Sequence, residues 1–287
     1  MKVIKEITAI QNICLYFKRV GKTIGFVPTM GFLHEGHISL ILKARDENDI
    51  VIVSIFVNPI QFLPNEDFEK YPRDFLRDYH LCKSSGVDYI FSPEPKDVFP
   101  DDYKTFIEVK NLSDILEGKY RPGHFRGVTT VVAKFMNIIM PDRMYLGQKD
   151  AQQAVILKKM SKDLNYPTEI RIGKTIREES GLALSSRNVY LSDEEKIEAS
   201  ALYKALELGA ELIRESHSIS SDEVINKMKA FIKEKAPNCD IQYISITDNE
   251  NLNEITNPGI FKGEILISLA AFFRKTRLID NIIVTKT

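Results

Sequence analysis

A glycine-containing turn between a strand and a helix near the N-terminus constrains this chain most. The strand-like run Lys22 to Val27 leads into the segment Pro28-Thr29-Met30-Gly31-Phe32-Leu33-His34-Glu35-Gly36-His37. Its two histidines lie three residues apart, so they project from one face where a helix begins. The first N–H groups of a helix have no intrahelical partners and carry partial positive charge, which suits a phosphate. The segment therefore predicts a phosphate site at a helix start.

The residue types in this turn favour nucleotidyl transfer. Imidazoles beside a polyphosphate can donate hydrogen bonds to the charge that builds up as a phosphorus–oxygen bond breaks. Gly31 and Gly36 remove side chains where a flat ligand could approach the backbone. Two alternatives stay open. A zinc-peptidase helix needs its histidines four residues apart, and no third ligand follows here at helical spacing. A purely structural role for both histidines is the other alternative.

Two further polar segments could complete a triphosphate site. The loop Gly181-Leu182-Ala183-Leu184-Ser185-Ser186-Arg187-Asn188 places two hydroxyls beside a guanidinium, whose planar fork of donors suits phosphate oxygens. In Gly147-Gln148-Lys149-Asp150, glycine permits close approach and lysine adds a point charge. The aspartate could meet a ribose hydroxyl or Mg²⁺. Ser-Ser-Arg alone is a weak signal, because most such triplets are solvated turns.

Six sequence blocks between about Val27 and Leu191 resemble the pantoate–β-alanine ligase family and follow its order. The blocks are Pro28–His37, Phe56–Phe62, Tyr71–Arg73, Arg121–Val128, Gly147–Gln153 and Ser185–Asn188. The His-x-Gly-His motif alone would indicate only the wider nucleotidyltransferase superfamily. Ser180 departs from the pattern, because the family is expected to carry an acidic residue there.

The resemblance implies roles for individual residues. The catalytic residues it implies are His34, His37, Lys149 and Arg187. ATP would contact these four and also Met30, Gly31, Phe32, Leu33, Glu35, Gly36, Gly147, Gln148, Asp150, Ile176, Leu184, Ser185 and Ser186. Pantoate would contact Gln61 and Gln153, with Asn58 in the same turn either binding substrate or bracing the turn. The resemblance also implies Mg²⁺, with ligands that stay unassigned.

The activity implied is ATP-dependent condensation of (R)-pantoate with β-alanine through a pantoyl adenylate, with release of AMP and diphosphate. A different nucleotidyltransferase is one alternative, and the separate Gln61 and Gln153 blocks argue against it. A non-catalytic nucleotide-binding protein is the other, and the histidine, lysine and arginine positions argue against that.

Composition indicates small-molecule chemistry in the cytoplasm. The chain has 287 residues, of which 44% are hydrophobic, and a formal net charge of −1. It therefore has no global basic field for nucleic acid or an acidic membrane. Cys14, Cys82 and Cys239 are widely spaced, which predicts reduced thiols rather than disulfides. No signal peptide or membrane-spanning run is expected. The family resemblance implies a homodimer.

Alternating strand and helix patterns predict the fold. Strands are expected at 24–27, 49–57, 87–92, 143–146 and 169–175, with helices at 39–48, 67–85, 128–140 and 151–164 between them. This alternation predicts an α/β fold, a Rossmann-like doubly wound parallel sheet over residues 1–178. Ligands bind such sheets at the carboxyl ends of strands, where Pro28, Asn58, Gly147 and Ile176 are expected. Residues 179–287 predict a smaller α+β domain, with helices at 192–215 and 221–236 and strands at 240–247, 263–273 and near 282.

The segment Gly118 to Gly127 has two interpretations. Three glycines and the cations Arg121 and Arg126 favour a mobile cover that closes over an anionic ligand. The alternative is a rigid loop that buttresses the fold or a subunit contact.

Overall fold

A computed structural model describes residues 1–64, 66 and 68–286. The chain divides into two compact units, one of Met1–Gly147 with Ile156–Lys174 and one of Gln148–Val155 with Thr175–Thr287. The second unit therefore includes the first residues of a helix whose remainder belongs to the first unit. A domain boundary between residues 178 and 179 stays a prediction.

The first unit contains a six-stranded parallel sheet flanked by helices. Its strands are β1 (Lys2–Ile4), β2 (Ile24–Thr29), β3 (Ile50–Ile55), β4 (Tyr89–Phe91), β5 (Arg143–Gly147) and β6 (Glu169–Gly173). Its helices are α1 (Ile7–Arg19), α2 (Glu35–Glu47), α3 (Phe75–Ser84), α4 (Pro95–Val98), α5 (Glu117–Tyr120), α6 (His124–Ile139) and most of α7 (Ala151–Asp163). The strand order is β1-β4-β3-β2-β5-β6, and every pairing is parallel. The predicted Rossmann-like α/β class is confirmed.

The central strands are buried on both faces, as their continuous apolar sequence predicts. Phe26 and Ile52 join a core with residues of α1 and α6. Their neighbours Val27 and Val53 join a second core with residues of α2 and α3. Full burial of one such side chain stabilises the folded state by about 1.5–3 kcal/mol relative to leaving it exposed. Alternation along two strands thus fixes which helices cover which face.

The differences from the sequence prediction concern both helix boundaries and elements that were not predicted, such as β1, α4 and α5. The helix expected over 67–85 begins only at Phe75, and Asp67 lies outside the described residues. Asp74 caps the helix by accepting a 3.0 Å hydrogen bond from the N–H of Arg77. Pro72 disfavours helical backbone at the residue that precedes it, so the helix does not begin earlier. Helices α2 and α6 each begin four residues earlier than predicted. Helix α1 was not predicted, although its apolar residues recur at helical spacing.

The second unit is an antiparallel sheet packed against two helices, which confirms the smaller α+β part. Helices α8 (Asp193–Glu215) and α9 (Ser221–Lys235) precede strands β7 (Cys239–Asp248), β8 (Gly263–Phe273) and β9 (Thr276–Lys286). The sheet order is β7-β8-β9. The predicted capping box of α8 is present, because Ser192 and Glu195 exchange side-chain to backbone hydrogen bonds.

The three cysteines are free thiols. Cys14 and Cys82 are buried and Cys239 is half-buried, and burial raises the pKa of each to about 12. They are therefore poor nucleophiles at neutral pH. Within the described part of the chain, no helix combines the length and apolar character needed to cross a bilayer.

Candidate active site

Two motif-bearing turns leave the same edge of the first unit's sheet. Strands β2 and β3 run parallel with Thr29 opposite Ile55, and the N–H of Phe56 donates to the Thr29 carbonyl oxygen across 3.1 Å. The histidine turn and the turn with Asn58 and Gln61 therefore begin side by side at the carboxyl ends of these strands. Ligands of open α/β sheets bind at this edge.

The two histidines form the cap of helix α2. His34 is the N-cap residue, and its Nδ1 accepts a hydrogen bond from the N–H of Gly36 at 3.2 Å. The Nδ1 of His37 accepts from the N–H of His34, also at 3.2 Å. Because both Nδ1 atoms accept from N–H groups, each neutral imidazole carries its proton on Nε2. The two imidazoles at the helix start are therefore the same tautomer, protonated on Nε2.

Gly36 is required between the histidines for a steric reason. A Cβ at this position would lie 2.9 Å from Cε1 of His34, closer than side chains pack. The two imidazole rings lie 4.1 Å apart between centroids. Any side chain at position 36 would displace the His34 ring and the hydrogen bond that fixes its tautomer.

A buried carboxylate on α3 stabilises the turn before the histidines. Gly31 and Phe32 both have left-handed backbone, with φ of 82° and 50°, which is unfavourable for phenylalanine. Asp78, only 1% exposed, accepts hydrogen bonds from the N–H groups of Phe32 and Leu33, each at 2.7 Å. Burial raises the pKa of Asp78, and the two N–H donors act in the opposite direction. Sequence reasoning missed Asp78, because it lies 46 residues from Phe32.

The structure brings three of the predicted residues into one hydrogen-bonded group. The Nδ2 of Asn58 donates to Oε1 of Gln61 at 3.0 Å, and Nε2 of Gln61 donates to the sulfur of Met30 at 3.0 Å. Asn58 also donates to the carbonyl oxygen of Gly127. Asn58 therefore braces the turn, as the sequence allowed. Its buried Oδ1 finds no hydrogen-bond partner among the described residues.

An ion pair holds the segment around Arg121 against the rest of the first unit. Arg121 forms two hydrogen bonds with Glu66, from Nε at 2.5 Å and from Nη2 at 2.6 Å. Burial alone would raise the pKa of Glu66, but the hydrogen bonds and charge of Arg121 lower it below its usual value. This ion pair connects the loop after Gln61 to the segment between α5 and α6.

In the second unit, a strand residue fixes the lysine-bearing turn. Residues Gln148–Asp150 form a 3₁₀ turn before α7, and Nδ2 of Asn281 donates to the carbonyl oxygens of Gln148 and Lys149 at 3.0 and 2.8 Å. The Nε2 of Gln148 donates back to Oδ1 of Asn281 at 2.9 Å. Lys149 Nζ lies 3.9 Å from Oδ1 of Asp150. Gln153 lies half-buried on the first turn of α7.

The serine-rich loop of the second unit is a short hairpin followed by a 3₁₀ turn. The N–H of Leu184 donates to the Ile176 carbonyl oxygen at 3.0 Å, which uses one of its two lone pairs. The hydroxyl of Ser185 accepts from the N–H of Arg187 at 3.2 Å and caps the turn. Ser186 is buried there. Ser180 at the hairpin tip accepts from the N–H of Leu182, an ordinary turn role for this residue.

Strand β9 also anchors this hairpin. Asp280 is 4% exposed and accepts from Nη1 and Nη2 of Arg177 at 2.6 and 2.9 Å. The guanidinium carbon of Arg177 lies 3.6 Å from the ring centroid of Tyr203. Adjacent residues of one strand, Asp280 and Asn281, thus hold both motif-bearing segments of the second unit. Neither was predicted, because only the fold brings them to residues over 100 positions away.

Comparisons with known proteins agree on one family. The family model described as pantoate-beta-alanine ligase matches residues 2–283. The pantothenate synthetase of Caldicellulosiruptor saccharolyticus is 50% identical over 287 residues, covering 99% of both chains, and that of Thermosipho melanesiensis is 50% identical with the same coverage.

Solved structures give the same result. A pantothenate synthetase from Thermus thermophilus superposes with a TM-score of 0.92 at 38% identity, with complete coverage of both chains. The enzyme from Francisella tularensis, described as a complex with beta-gamma ATP and β-alanine, has a TM-score of 0.79 at 40% identity, covering 98% of this chain and 97% of its own. The chain therefore belongs to the pantoate–β-alanine ligase family and is an enzyme of the ligase class.

Proposed function

We propose that the chain condenses (R)-pantoate with β-alanine at the expense of ATP, through a bound pantoyl adenylate. In the first step a pantoate carboxylate oxygen attacks the α-phosphorus of ATP, and diphosphate leaves. In the second step the β-alanine amine attacks the acyl carbon, loses a proton, and expels AMP. Family membership supports the overall ligation, and the Francisella relative's complex with a nucleotide and β-alanine supports the substrates.

The observation that carries the proposal is the tautomer of the two histidines. Both Nδ1 atoms accept hydrogen bonds from backbone N–H groups, so His34 and His37 each carry the ring proton on Nε2 at the start of α2. Donors fixed before the reaction stabilise charge that develops on phosphate oxygens without reorganising. A histidine whose Nδ1 is engaged in this way is suited to donate a hydrogen bond rather than to ligate a metal through that atom.

The hydrogen bonds of Gln61 support a role for this residue in binding pantoate. Its Nε2–H donor meets a thioether sulfur, which is a weak acceptor, so a substrate oxygen could replace Met30 at small cost. The buried Oδ1 of Asn58, without a partner among the described residues, offers an acceptor for a pantoate hydroxyl. We assign Gln61 and Asn58 to pantoate on these grounds, and Gln153 on the family resemblance.

The family resemblance supplies the remaining phosphate and adenine contacts of this proposal. Lys149 and Arg187 would neutralise phosphate charge, with Ser185 and Ser186 as further donors. The Ile176 carbonyl keeps one lone pair for the adenine amino group. Among the described residues, no group of three or more His, Cys, Asp or Glu side chains is placed to share a metal ion. This fits Mg²⁺ held mainly by ATP phosphates, with Asp150 as a candidate carboxylate, and the ion would neutralise the leaving diphosphate.

Phosphorus NMR of the reaction products tests the proposal. With ATP, pantoate and β-alanine present together, we expect AMP and diphosphate in equal amounts. Omission of β-alanine should leave only the first, enzyme-bound turnover. ADP and phosphate as products would contradict the adenylate mechanism, and a released nucleotidylated product would indicate a different transferase.

Two broader assignments rest on the family resemblance and, for the cytoplasm, also on the three free cysteines. We propose that the protein is a homodimer and that it works in the cytoplasm. Sedimentation equilibrium of the purified protein measures the first, because a monomer and a dimer of a 32.8 kDa chain differ twofold in mass. Fractionation of the producing cells measures the second.

A further inference from the structure

A buried histidine outside the histidine turn hydrogen-bonds to the backbone of Gln61. The Nδ1 of His124 lies 2.8 Å from the Gln61 carbonyl oxygen. A carbonyl oxygen can only accept, so Nδ1 carries the proton and donates. The Nε2 of His124 is then the acceptor for Nη1 of Arg121, which lies 3.1 Å away. The geometry thus fixes both nitrogens of the ring.

The protonation state of His124 agrees with this geometry. Its side chain is 8% exposed, and burial lowers its pKa to about 4, with the charge of Arg121 acting in the same direction. The ring is therefore neutral at physiological pH. An imidazolium would carry a proton on Nε2 and would lose its acceptor role toward Arg121.

The contacts form a continuous chain from an ion pair to the pantoate residue. Arg121 donates to Glu66 through Nε and Nη2 and to His124 through Nη1, so its guanidinium is engaged on both sides. Arg121 thus holds the His124 ring, and the ring in turn holds the Gln61 carbonyl oxygen through its Nδ1–H. The Gly127 backbone packs directly on the same turn, since a Cβ there would lie 2.7 Å from the Gln61 Cα.

We propose that His124 is a positioning residue for pantoate, which holds the Gln61 main chain while Asn58 holds the Gln61 side chain. The inference rests on the proposed role of Gln61 and assigns His124 no contact with substrate. Two donors from different elements, one on α6 and one in the turn itself, then fix both ends of the Gln61 residue. A side chain held in this way loses little further entropy when it binds a ligand.

Two substitutions separate the two nitrogens of the ring. His124→Asn places an amide N–H near the position of Nδ1 and keeps a donor for the Gln61 carbonyl. His124→Gln places its amide near Nε2, which preserves a partner for Arg121 and leaves the carbonyl without one. His124→Ala removes both. His217→Asn is the matched control, because His217 is exposed in the second unit.

The test is steady-state kinetics with pantoate and ATP varied separately, beside thermal unfolding of each variant. We expect His124→Ala and His124→Gln to raise the KM for pantoate roughly five- to tenfold, because binding must then order a Gln61 side chain that is no longer held in place. His124→Asn should stay within about threefold of wild type, and the KM for ATP should change less than about twofold in all three. Asn and Gln variants with equal pantoate KM values would overturn the proposal, as would equal losses for both substrates.

A double variant distinguishes this inference from the proposed function beneath it. If His124 acts through Gln61, His124→Ala should add less than about twofold to the pantoate KM of Gln61→Ala. Multiplying effects would overturn the positioning role. If Gln61→Ala alone leaves the pantoate KM unchanged while AMP and diphosphate still form, the ligase proposal survives and the assignment of Gln61, with that of His124, is wrong. Should the alanine variant fail to fold, the Asn and Gln comparison still decides.

Discussion

The carboxylate of Asp78 accepts a 2.7 Å hydrogen bond from the backbone N–H of Phe32. Phe32 has left-handed backbone, a conformation that costs about 1 kcal/mol or more for a residue with a side chain. The guanidinium of Arg77, the preceding residue on α3, lies over the Phe32 ring at 5.2 Å. Helix α3 therefore stabilises the strained turn that leads into His34 and His37.

Removal of this carboxylate should affect stability and the first chemical step together. Asp78→Ala leaves two buried N–H groups unpaired, so we expect a loss of about 2 kcal/mol or more in the free energy of unfolding. Exchange of labelled diphosphate into ATP should slow as well. The control is Ser192→Ala, which removes a helix cap of the second unit at about 1 kcal/mol. Equal exchange rates in both variants would contradict a specific role for Asp78.

His37→Ala should slow adenylate formation far more than it weakens ATP binding. A charge-assisted hydrogen bond contributes about 1.5–3 kcal/mol, so pantoate-dependent diphosphate exchange should fall at least about tenfold. His37→Gln retains an N–H near the position of Nε2, whereas His37→Asn retains an acceptor near Nδ1. The glutamine variant should keep more activity than the asparagine variant. An unchanged exchange rate in the alanine variant would remove His37 from the mechanism.

Gln61→Ala and Gln153→Ala should impair pantoate use and leave ATP affinity nearly intact. Neither side chain carries charge, so neither contributes to phosphate attraction, and Gln61 already belongs to a group with Asn58 and Met30. Calorimetry of ATP binding beside a pantoate titration measures the two effects separately. Parallel losses for both ligands would indicate a misfolded protein or a different site.

The segment Gly118 to Gly127 should show similar hydrogen exchange with and without ligands. Sequence alone slightly favoured a ligand-ordered cover, but the structure gives two of its glycines a packing role. A Cβ at Gly118 would lie 1.9 Å from the Ser113 carbonyl oxygen, and one at Gly127 would lie 2.4 Å from that of Ile60. Strong additional protection on addition of ATP and pantoate would restore the mobile cover.

Stability should depend on pH through His124. Its pKa falls from 6.5 to about 4 on folding, so the unfolded chain binds more protons between these values. The free energy of unfolding therefore carries no penalty from His124 above pH 6.5. It decreases as the pH falls from 6.5 toward 4, because the unfolded chain gains a proton that the folded chain does not bind. The fall in the pKa of His124 from 6.5 to about 4 corresponds to about 3 kcal/mol in the free energy of unfolding, at 1.36 kcal/mol for each unit of pKa.

Urea unfolding between pH 4 and 7 measures this dependence. His124→Asn should show a shallower fall in stability than wild type, because asparagine does not titrate. Arg121, Glu66 and Glu117 act on His124 electrostatically, and none of them changes in the variant. Identical pH profiles for the two proteins would show that His124 does not titrate in this range.

The sequence by itself determined the fold class, the family and the location of the chemical motifs. Apolar runs such as 50–55 predict buried parallel strands because both faces are covered, and the His-x-Gly-His segment predicts a helix start from local spacing alone. These signals are local, since each depends on residues within a few positions of one another. The capping box at Ser192 was predictable for the same reason.

Only the tertiary structure decided which residues hold the motifs in place. Asp78 meets Phe32, His124 meets Gln61, and Asn281 meets the Lys149 turn across separations of 46, 63 and 132 residues. No periodicity or turn rule connects positions so far apart, because only the packed sheets bring them together. The histidine tautomers also required the structure. A sequence shows that two imidazoles are present, but not which N–H groups donate hydrogen bonds to their nitrogens.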